Sequence, residues 1–459
     1  MKFEIELFEK YNIPTPRYTS YPPANYFKEI TGNTPDIPGI IEASNKDKPK
    51  NISLYIHIPF CGQLCLYCGC NTHITQNKET MSRYVDTLLK EIDLLAAHLD
   101  KDRKVSQIHW GGGTPNYLPI EEIRRIMDHL HSRFDFIEKP EVAMECHPAH
   151  LTKAYTKELV DMGFNRLSFG VQDFSDKVLE TVNREKPLIP IEEMVEYIQS
   201  FKDVSLNLDF IYGLPYQSLE TYKETIKKAL SLQPDRLAVF SYAHVPWIKK
   251  QQKSLEKYGL PTAKEKIELF ESAYNMLSEN NYEIIGLDHF AKPDDELSIA
   301  LKTKKLHRNF QGYCTLETTG QVYALGVSGI SQMENAYLQN TKDLKIYEEK
   351  INRGEFPVEK YYLLTEEEKI VRNIIEEIMC NMEVSLPQIA KQYNRSLTDI
   401  YHITQVDTEA LTQYEKEGFL SFANDELKLK PKGQFFMRII AAAFDPNMKT
   451  NKKSFSKAL

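Results

Sequence analysis

The sequence predicts an α/β protein of six strand–helix units, preceded by an extended arm and followed by a mostly helical, winged-helix-like region. Three observations predict it. From about residue 51, short β-prone runs alternate with longer amphipathic stretches, the pattern of parallel βαβ units. Glycines and isolated polar residues fall at the carboxyl ends of those runs, and beyond about residue 300 the alternation fades. Six such units make either a partial barrel or an open doubly wound sheet. The expected divisions are 1–50 (an arm covering the site), 51–300 (the strand–helix body) and 301–459 (a substrate-covering helical domain).

Residues 1–50 are rich in Pro, Tyr and Asn, and the prolines around Pro16-Arg17-Tyr18-Thr19-Ser20-Tyr21-Pro22-Pro23 disfavour helix. Tyr11, Arg17, Tyr18 and Tyr21 suit an arm docked on the body. The expected strands are Ser53–Ile58, Ser106–Trp110, Val142–Cys146, Arg166–Val171, Ser205–Tyr212 and Leu237–Tyr242. Between them Met81, Val85, Leu88, Leu89, Ile92, Leu95 and Leu99 recur at helical spacing, as do Ile123, Ile126, Met127 and Leu130 after Pro119. A helix over 151–162 should stop at Gly163, and Thr262 with Glu265 reads as a capping box. Past 300, residues 306–313 read as a polar loop carrying His307, Arg308 and Gln311, and Gly326–Ile330 as a small-residue turn. Residues 365–382 read as a charged helix, and 408–444 as helix, hairpin with Asn424-Asp425 at its turn, helix. The tail with Lys449, Lys452, Lys453 and Lys457 reads as a solvated end or a flap.

A length of 459 residues leaves room for two or three domains. A formal charge of −8 argues against nucleic acid as the main partner, so an anionic substrate must be met by locally placed cations. No apolar run approaches the ~20 residues of a membrane span, and the first residues lack a signal-peptide core. Seven cysteines, four of them clustered, do not resemble a disulfide framework, and a cytoplasmic location is expected.

The chemistry centres on the stretch 55–70, YIHIPFCGQLCLYCGC. Cys61, Cys65 and Cys68 are spaced C-x3-C-x2-C, three thiolates on one loop rather than the two separated pairs of a tetrahedral zinc site. Three thiolates on a 4Fe–4S cluster leave one iron without a protein ligand, open to a substrate or cofactor. Cys70 is read as outside that set, and Cys146, Cys314 and Cys380 as free thiols without a metal role. At the strand ends Gly111-Gly112-Gly113-Thr114, Glu145, Gln172, Asp209 and Ala243 share one rim, where parallel α/β folds place their sites.

The cysteine spacing, with Tyr67 before the third cysteine, resembles the radical S-adenosylmethionine (radical SAM) signature. The ordered blocks PRYTSYP (16–22), YIHIPFC (55–61), CGCN (68–71), HWGGGTP (109–115), GFNRLSFGVQDF (163–174), NLDFIYGLP (207–215), DHFAKPDDEL (288–297) and HRNFQGY (307–313) resemble the oxygen-independent coproporphyrinogen III oxidase (dehydrogenase) family, from about residue 10 to the C-terminus. The resemblance implies a radical SAM partial (β/α)6 barrel with a 4Fe–4S cluster on Cys61, Cys65 and Cys68. It also implies oxidative decarboxylation of two propionates of coproporphyrinogen III to vinyls by a 5′-deoxyadenosyl radical, giving protoporphyrinogen IX in heme synthesis. Two SAM molecules are implied, with Tyr55, Gly112, Glu145 and Ile330 around the first. Tyr67, Gly113, Thr114, Gln172, Arg184, Asp209 and Ala243 match positions around the second. Arg17, Arg308 and Gln311 are expected to meet the substrate, a flavodoxin- or ferredoxin-type donor to supply electrons, and the protein to be a monomer. Position 67 is commonly Phe in the family, and Cys146-His147-Pro148 departs from its usual aspartate-proline. The alternative is a paralogue that binds or delivers heme; the PRYTSYP arm and Cys70 favour the enzyme.

Overall fold

The computed structural model describes residues 3–32, 35–316, 320–450 and 455. The expected flap at 452–457 therefore lies outside the described residues, apart from Phe455. Six parallel strands form the body: β1 (Ile52–Ile58), β2 (Val105–Gly112), β3 (Phe136–Cys146), β4 (Arg166–Gln172), β5 (Ser205–Tyr212) and β6 (Arg236–Ser241). They neighbour one another in chain order. Five of the expected strands appear within two residues of their expected bounds, and β3 begins six residues earlier than expected, at Phe136.

The connecting helices are α1 (Lys78–Ala96), α2 (Ile120–Arg133), α3 (Lys153–Asp161), α4 (Ile191–Gln199), α5 (Leu219–Ser231) and α6 (Ala263–Glu279). The Asn77 side chain caps α1 by accepting the Glu79 and Thr80 amides, and the apolar stripe from Met81 to Leu95 is buried against the sheet. Gly163, at φ +96°, closes α3 in a Schellman motif: the Phe164 amide donates to Leu159 and the Gly163 amide to Val160. The Thr262–Glu265 capping box opens α6 as expected.

Burial alternates along the whole of β4 and along β5 as far as Ile211. Leu167, Phe169, Val171, Leu206, Leu208 and Phe210 pack into the core, which leaves Ser168, Gly170, Gln172, Asn207 and Asp209 on the other face. At the amino ends of the strands, Arg166 pairs with Glu296 at 2.7 Å and Arg236 with Asp295 at 2.7 Å. The end of the DHFAKPDDEL block is thus a partly buried ion network at the end of the strands opposite to the carboxyl ends, where stability rather than chemistry resides.

The sheet does not end where the alternation fades. Two short strands, β7 (Glu283–Ile285) and β8 (His289–Ala291), add antiparallel beyond β6. Residues 306–313, expected as a polar loop, instead form a hairpin of β9 (Leu306–Asn309) and β10 (Gly312–Thr315). His307, Arg308 and Asn309 are buried in it, and polar buried side chains hide the alternation that would have marked it as strand. On the other side β11 (Val322–Leu325) runs parallel to β1, and β12 (Ile330–Gln332), β13 (Ala336–Asn340) and β14 (Val358–Leu363) follow antiparallel. Antiparallel strands need no crossover helix, so the strand–helix rhythm stops although the sheet continues.

The C-terminal region carries a helix at Glu366–Glu376 and then a three-stranded sheet, with helices between its first strand, Glu383–Ser385, and its hairpin, Leu420–Ala423 with Glu426–Leu429. That is the winged-helix-like order. Asn424 and Asp425 both have positive φ, as a two-residue type I′ turn demands. The arm is docked but not wholly extended. Ile5–Tyr11 is helical, lying before the first proline; Phe3 just ahead of it and Phe8 within it pack tilted against Phe435 and Phe436. A second helix spans Ile37–Ala43. The Tyr18 and Tyr21 hydroxyls donate to the two oxygens of buried Asp445 at 3.0 and 3.1 Å.

Candidate active site

Eleven of the expected residues line one cavity of about 170 Å³ at the carboxyl ends of the strands: Cys61, Cys65, Tyr67, Cys68, Gly112, Gly113, Thr114, Glu145, Gln172, Arg184 and Asp209. Tyr55, Ala243 and Ile330 do not line it. Tyr55 points its hydroxyl at His57 Nδ1 (3.2 Å), behind the glycine run. Ala243 is exposed just past β6, and Ile330 begins β12.

The cysteine loop leaves β1 and is held on both flanks. On one side the Leu66 amide donates to Val182 and the Asn183 side chain to the Leu64 carbonyl. On the other, Lys249, Gln251 and Gln252 donate to the carbonyls of Cys70, Cys68 and Tyr67. The sulfurs have donors of their own. Thr114 Oγ1 lies 3.2 Å from Cys61 Sγ, Arg184 Nη1 donates to Cys65 Sγ at 3.5 Å, and the Cys70 amide to Cys68 Sγ at 3.4 Å. The Cys68 thiol is held down at about 6, chiefly by a hydrogen bond from the Cys70 side chain, whereas burial pushes Cys61 up to about 11.

Arg184 ties the loop to β4. Its guanidinium donates to the Tyr67 hydroxyl (2.8 Å) and to the Gly170 carbonyl. The hydroxyl that Tyr67 adds is therefore used, and a side chain at position 170 would collide with Arg184. Gln172 ends β4 at φ +69°, beside a register slip against β5. Such a conformation in a non-glycine residue marks a constrained strand end.

Glu145 accepts from His109 Nε2 at 3.2 Å, and its side chain is 46% exposed. Asp209 is held by Ser168 (2.9 Å) and Asn207 (2.6 Å), and burial raises its carboxyl to about 6. His109, Ser168 and Asn207 were not singled out from the sequence. Their signal was there: polar residues two apart on strands whose alternate positions are apolar. His147 accepts the Ala149 amide at 3.1 Å, the capping role an aspartate oxygen plays in such a turn. Cys146, Cys314 and Cys380 are buried and form no disulfide among the described residues.

Gly112 (φ +120°) and Gly113 press on the strand that leads into Cys61. A Cβ at Gly113 would stand 2.5 Å from the Pro59 carbonyl oxygen, a backbone atom that cannot move alone. Gly113→Ala is therefore expected to displace the cysteine loop. Iron bound per chain and activity should both fall at least about tenfold, as for a change of this kind at an over-determined site. Full iron content with full activity would show that the close approach is unnecessary.

Gly326, at φ +95°, meets Tyr84 and the His57 carbonyl where a Cβ would stand. Its amide donates to buried Glu91, which also accepts from Tyr347 and Asn340. This carboxylate, raised to about 7 by burial, fixes the loop that delivers Ile330.

Among the described residues no three His, Cys, Asp or Glu side chains converge on a single ion position. Three thiolates that each bind a different iron of a cluster need not do so. Four free thiols on one loop line this cavity, Cys61, Cys65, Cys68 and Cys70, and the first three, with N–H and O–H groups about their sulfurs, fit an iron–sulfur cluster.

Comparison with known proteins agrees with this geometry. Residues 55–229 match the radical SAM superfamily, and residues 364–436 match the HemN C-terminal domain. The oxygen-independent coproporphyrinogen III oxidase of Synechocystis is 40% identical, covering 100% of this chain and 98% of its own. The Escherichia coli protein of the same name is 36% identical, covering 100% and 98%. The solved structure of coproporphyrinogen III oxidase (HemN) from Escherichia coli, described as a radical SAM enzyme, superposes with a TM-score of 0.89 at 35% identity, over 97% of this chain and 99% of its own.

Proposed function

The chain belongs to the oxygen-independent coproporphyrinogen III oxidase family of the radical SAM superfamily, and from that premise we propose that it converts two propionates of coproporphyrinogen III to vinyl groups, giving protoporphyrinogen IX in heme synthesis. Cys61, Cys65 and Cys68 would hold a 4Fe–4S cluster. When bound, the cluster and SAM supply the 5′-deoxyadenosyl radical that takes one hydrogen atom from a propionate β-carbon. Loss of CO2 and of one electron to an acceptor then completes each vinyl group.

The chain's own residues bind, orient and enclose. Glu145, fixed by His109, offers a carboxylate to the ammonium of SAM, and Asp209, fixed by Ser168 and Asn207, accepts from ribose hydroxyls. The glycine run lets backbone approach closely. A second SAM belongs to this reading through the resemblance: Tyr67, Gly113, Thr114, Gln172, Arg184, Asp209 and Ala243 would serve it, and Tyr55, Gly112, Glu145 and Ile330 the first. The arm through Arg17 and the hairpin bearing Arg308 and Gln311 would close over the substrate and exclude solvent. The division into arm (1–50), barrel (51–300) and covering region (301–459) belongs to this reading. So do a flavodoxin- or ferredoxin-type donor, a monomeric state and a cytoplasmic location. No helix among the described residues is long and apolar enough to cross a membrane.

The convergence of three cysteines and the strand-end residues on one cavity carries this reading. Anaerobic incubation of the reconstituted enzyme with SAM, dithionite and coproporphyrinogen tests it. Protoporphyrin fluorescence after oxidation is the expected result. A cluster-loaded enzyme that cleaves SAM but yields no protoporphyrin would overturn it.

A further inference from the structure

The N-terminal arm, the β9–β10 hairpin and the start of α6 bring several cations together around one carboxylate, Asp288, which is already hydrogen-bonded to His289. Arg308 is 7% exposed, donates to the Arg17 carbonyl at 2.6 Å, and leaves its Nε buried without a hydrogen-bond partner. Lys266, in the first turn of α6, lies over the Gly213 backbone. Its ammonium donates to the Tyr242 carbonyl at 3.0 Å and stands 6.0 Å from the Tyr212 ring centre. Among the described residues Arg17, Lys266 and Arg308 form no ion pair, whereas many lysines and arginines elsewhere do. A partly desolvated ammonium beside a second cation is unfavourable unless an anion joins them.

The charged groups facing this place come from every element packed there. They are Arg17 from the arm, Arg308 from β9, Arg438 from the C-terminal region, the Tyr212 hydroxyl from β5, and Asp288 with its partner His289 beside β8. Asp288 is already paired, its Oδ1 lying 2.7 Å from His289 Nδ1. Arg438 is committed to the Thr15 and Pro16 carbonyls. His289 also acts electrostatically on Asp209, and Tyr212 stands three residues, roughly 10 Å, beyond Asp209 on the same strand. The cationic place therefore lies at the same carboxyl end of the strands as the cavity.

We propose that Lys266 binds a substrate carboxylate, forming with Arg17 and Arg308 a seat for one propionate of the porphyrinogen. This rests on the function proposed above and adds a cation from the start of α6 to the two arginines expected from the sequence. An ion-paired carboxylate is stabilised against losing CO2, so the seat holds a propionate that orients the ring rather than the one that leaves. Burial and Arg17 lower the Lys266 ammonium to about 8. The free enzyme therefore has its binding charge below that pH and loses it above.

The test uses the anaerobically reconstituted holoenzyme and its Lys266→Met and Lys266→Arg variants. Lys266→Met should raise KM for coproporphyrinogen at least about tenfold, leave SAM binding and cluster absorbance unchanged, and remove the fall of kcat/KM near pH 8. Lys266→Arg should restore KM to within a few-fold and move that fall to higher pH. In parallel, coproporphyrin III, a tetracarboxylate, should bind Lys266→Met more weakly than the unsubstituted enzyme, while its tetramethyl ester should not discriminate. Equal coproporphyrin affinity, or an unchanged KM and pH profile, overturns the seat. Discriminating coproporphyrin binding without any protoporphyrinogen formation by the unsubstituted enzyme sinks the functional reading and leaves the seat standing.

Discussion

Cys61→Ser, Cys65→Ser and Cys68→Ser, each reconstituted anaerobically, are expected to lose the cluster's absorbance and all SAM cleavage, while Cys70→Ser keeps most of both. The effect on the first three is complete because the radical reaction has no source without the cluster, and a cluster with two protein thiolates is poorly held. Cys70 lines the same cavity, and the C-x3-C-x2-C spacing is what leaves it outside the set. It is exposed on the loop, and its amide and side chain both serve the Cys68 sulfur as hydrogen-bond donors. Losing that thiol should change the environment of Cys68, not the ligand count. Iron and sulfide analysis with 5′-deoxyadenosine measurement decides the matter. A Cys70→Ser protein as empty as Cys61→Ser would make Cys70 a ligand and remove the open iron on which the function depends.

Glu145→Ala should leave the cluster in place and cripple SAM. The carboxylate stands one residue from the end of β3, half exposed to the cavity, and is aimed by His109. A charge-assisted hydrogen bond to an ammonium contributes about 1.5–3 kcal/mol, so SAM affinity or its cleavage should fall by about 10- to 150-fold. Glu145→Gln keeps an acceptor without the charge and should fall between. Equilibrium SAM binding and 5′-deoxyadenosine formation are the measurements. If both are unchanged in Glu145→Ala with a full cluster, the carboxylate has another purpose.

Arg17 and its neighbours require a substitution rather than a truncation. Phe3, Phe8, Tyr11, Tyr18 and Tyr21 are all buried. Removing residues 1–24 would strip part of the core along with any contact to substrate, so packing and function are joined in this arm.

What the residues alone determined is what short-range pattern encodes. Period-two alternation fixed β4 and β5, helical spacing fixed α1 and α2, and side-chain capping at Thr262 placed the start of α6. The spacing of Cys61, Cys65 and Cys68 carried the cluster chemistry, because all three lie on one loop whose reach is set by the chain itself. The tertiary structure alone decided what depends on distant segments meeting. The β9–β10 hairpin was illegible because β9 buries the polar run His307, Arg308 and Asn309, and β12 to β14 because antiparallel strands leave no crossover helix to announce them. Arg184 reaches Tyr67 from 117 residues away, and Arg308 reaches the Arg17 carbonyl from 291. Lys266 reads in sequence as one more solvated helix lysine. Only the packing of α6 against the arm and β5 withdraws it from water and sets it beside another cation, because desolvation and charge proximity are properties of the folded surroundings rather than of the residue.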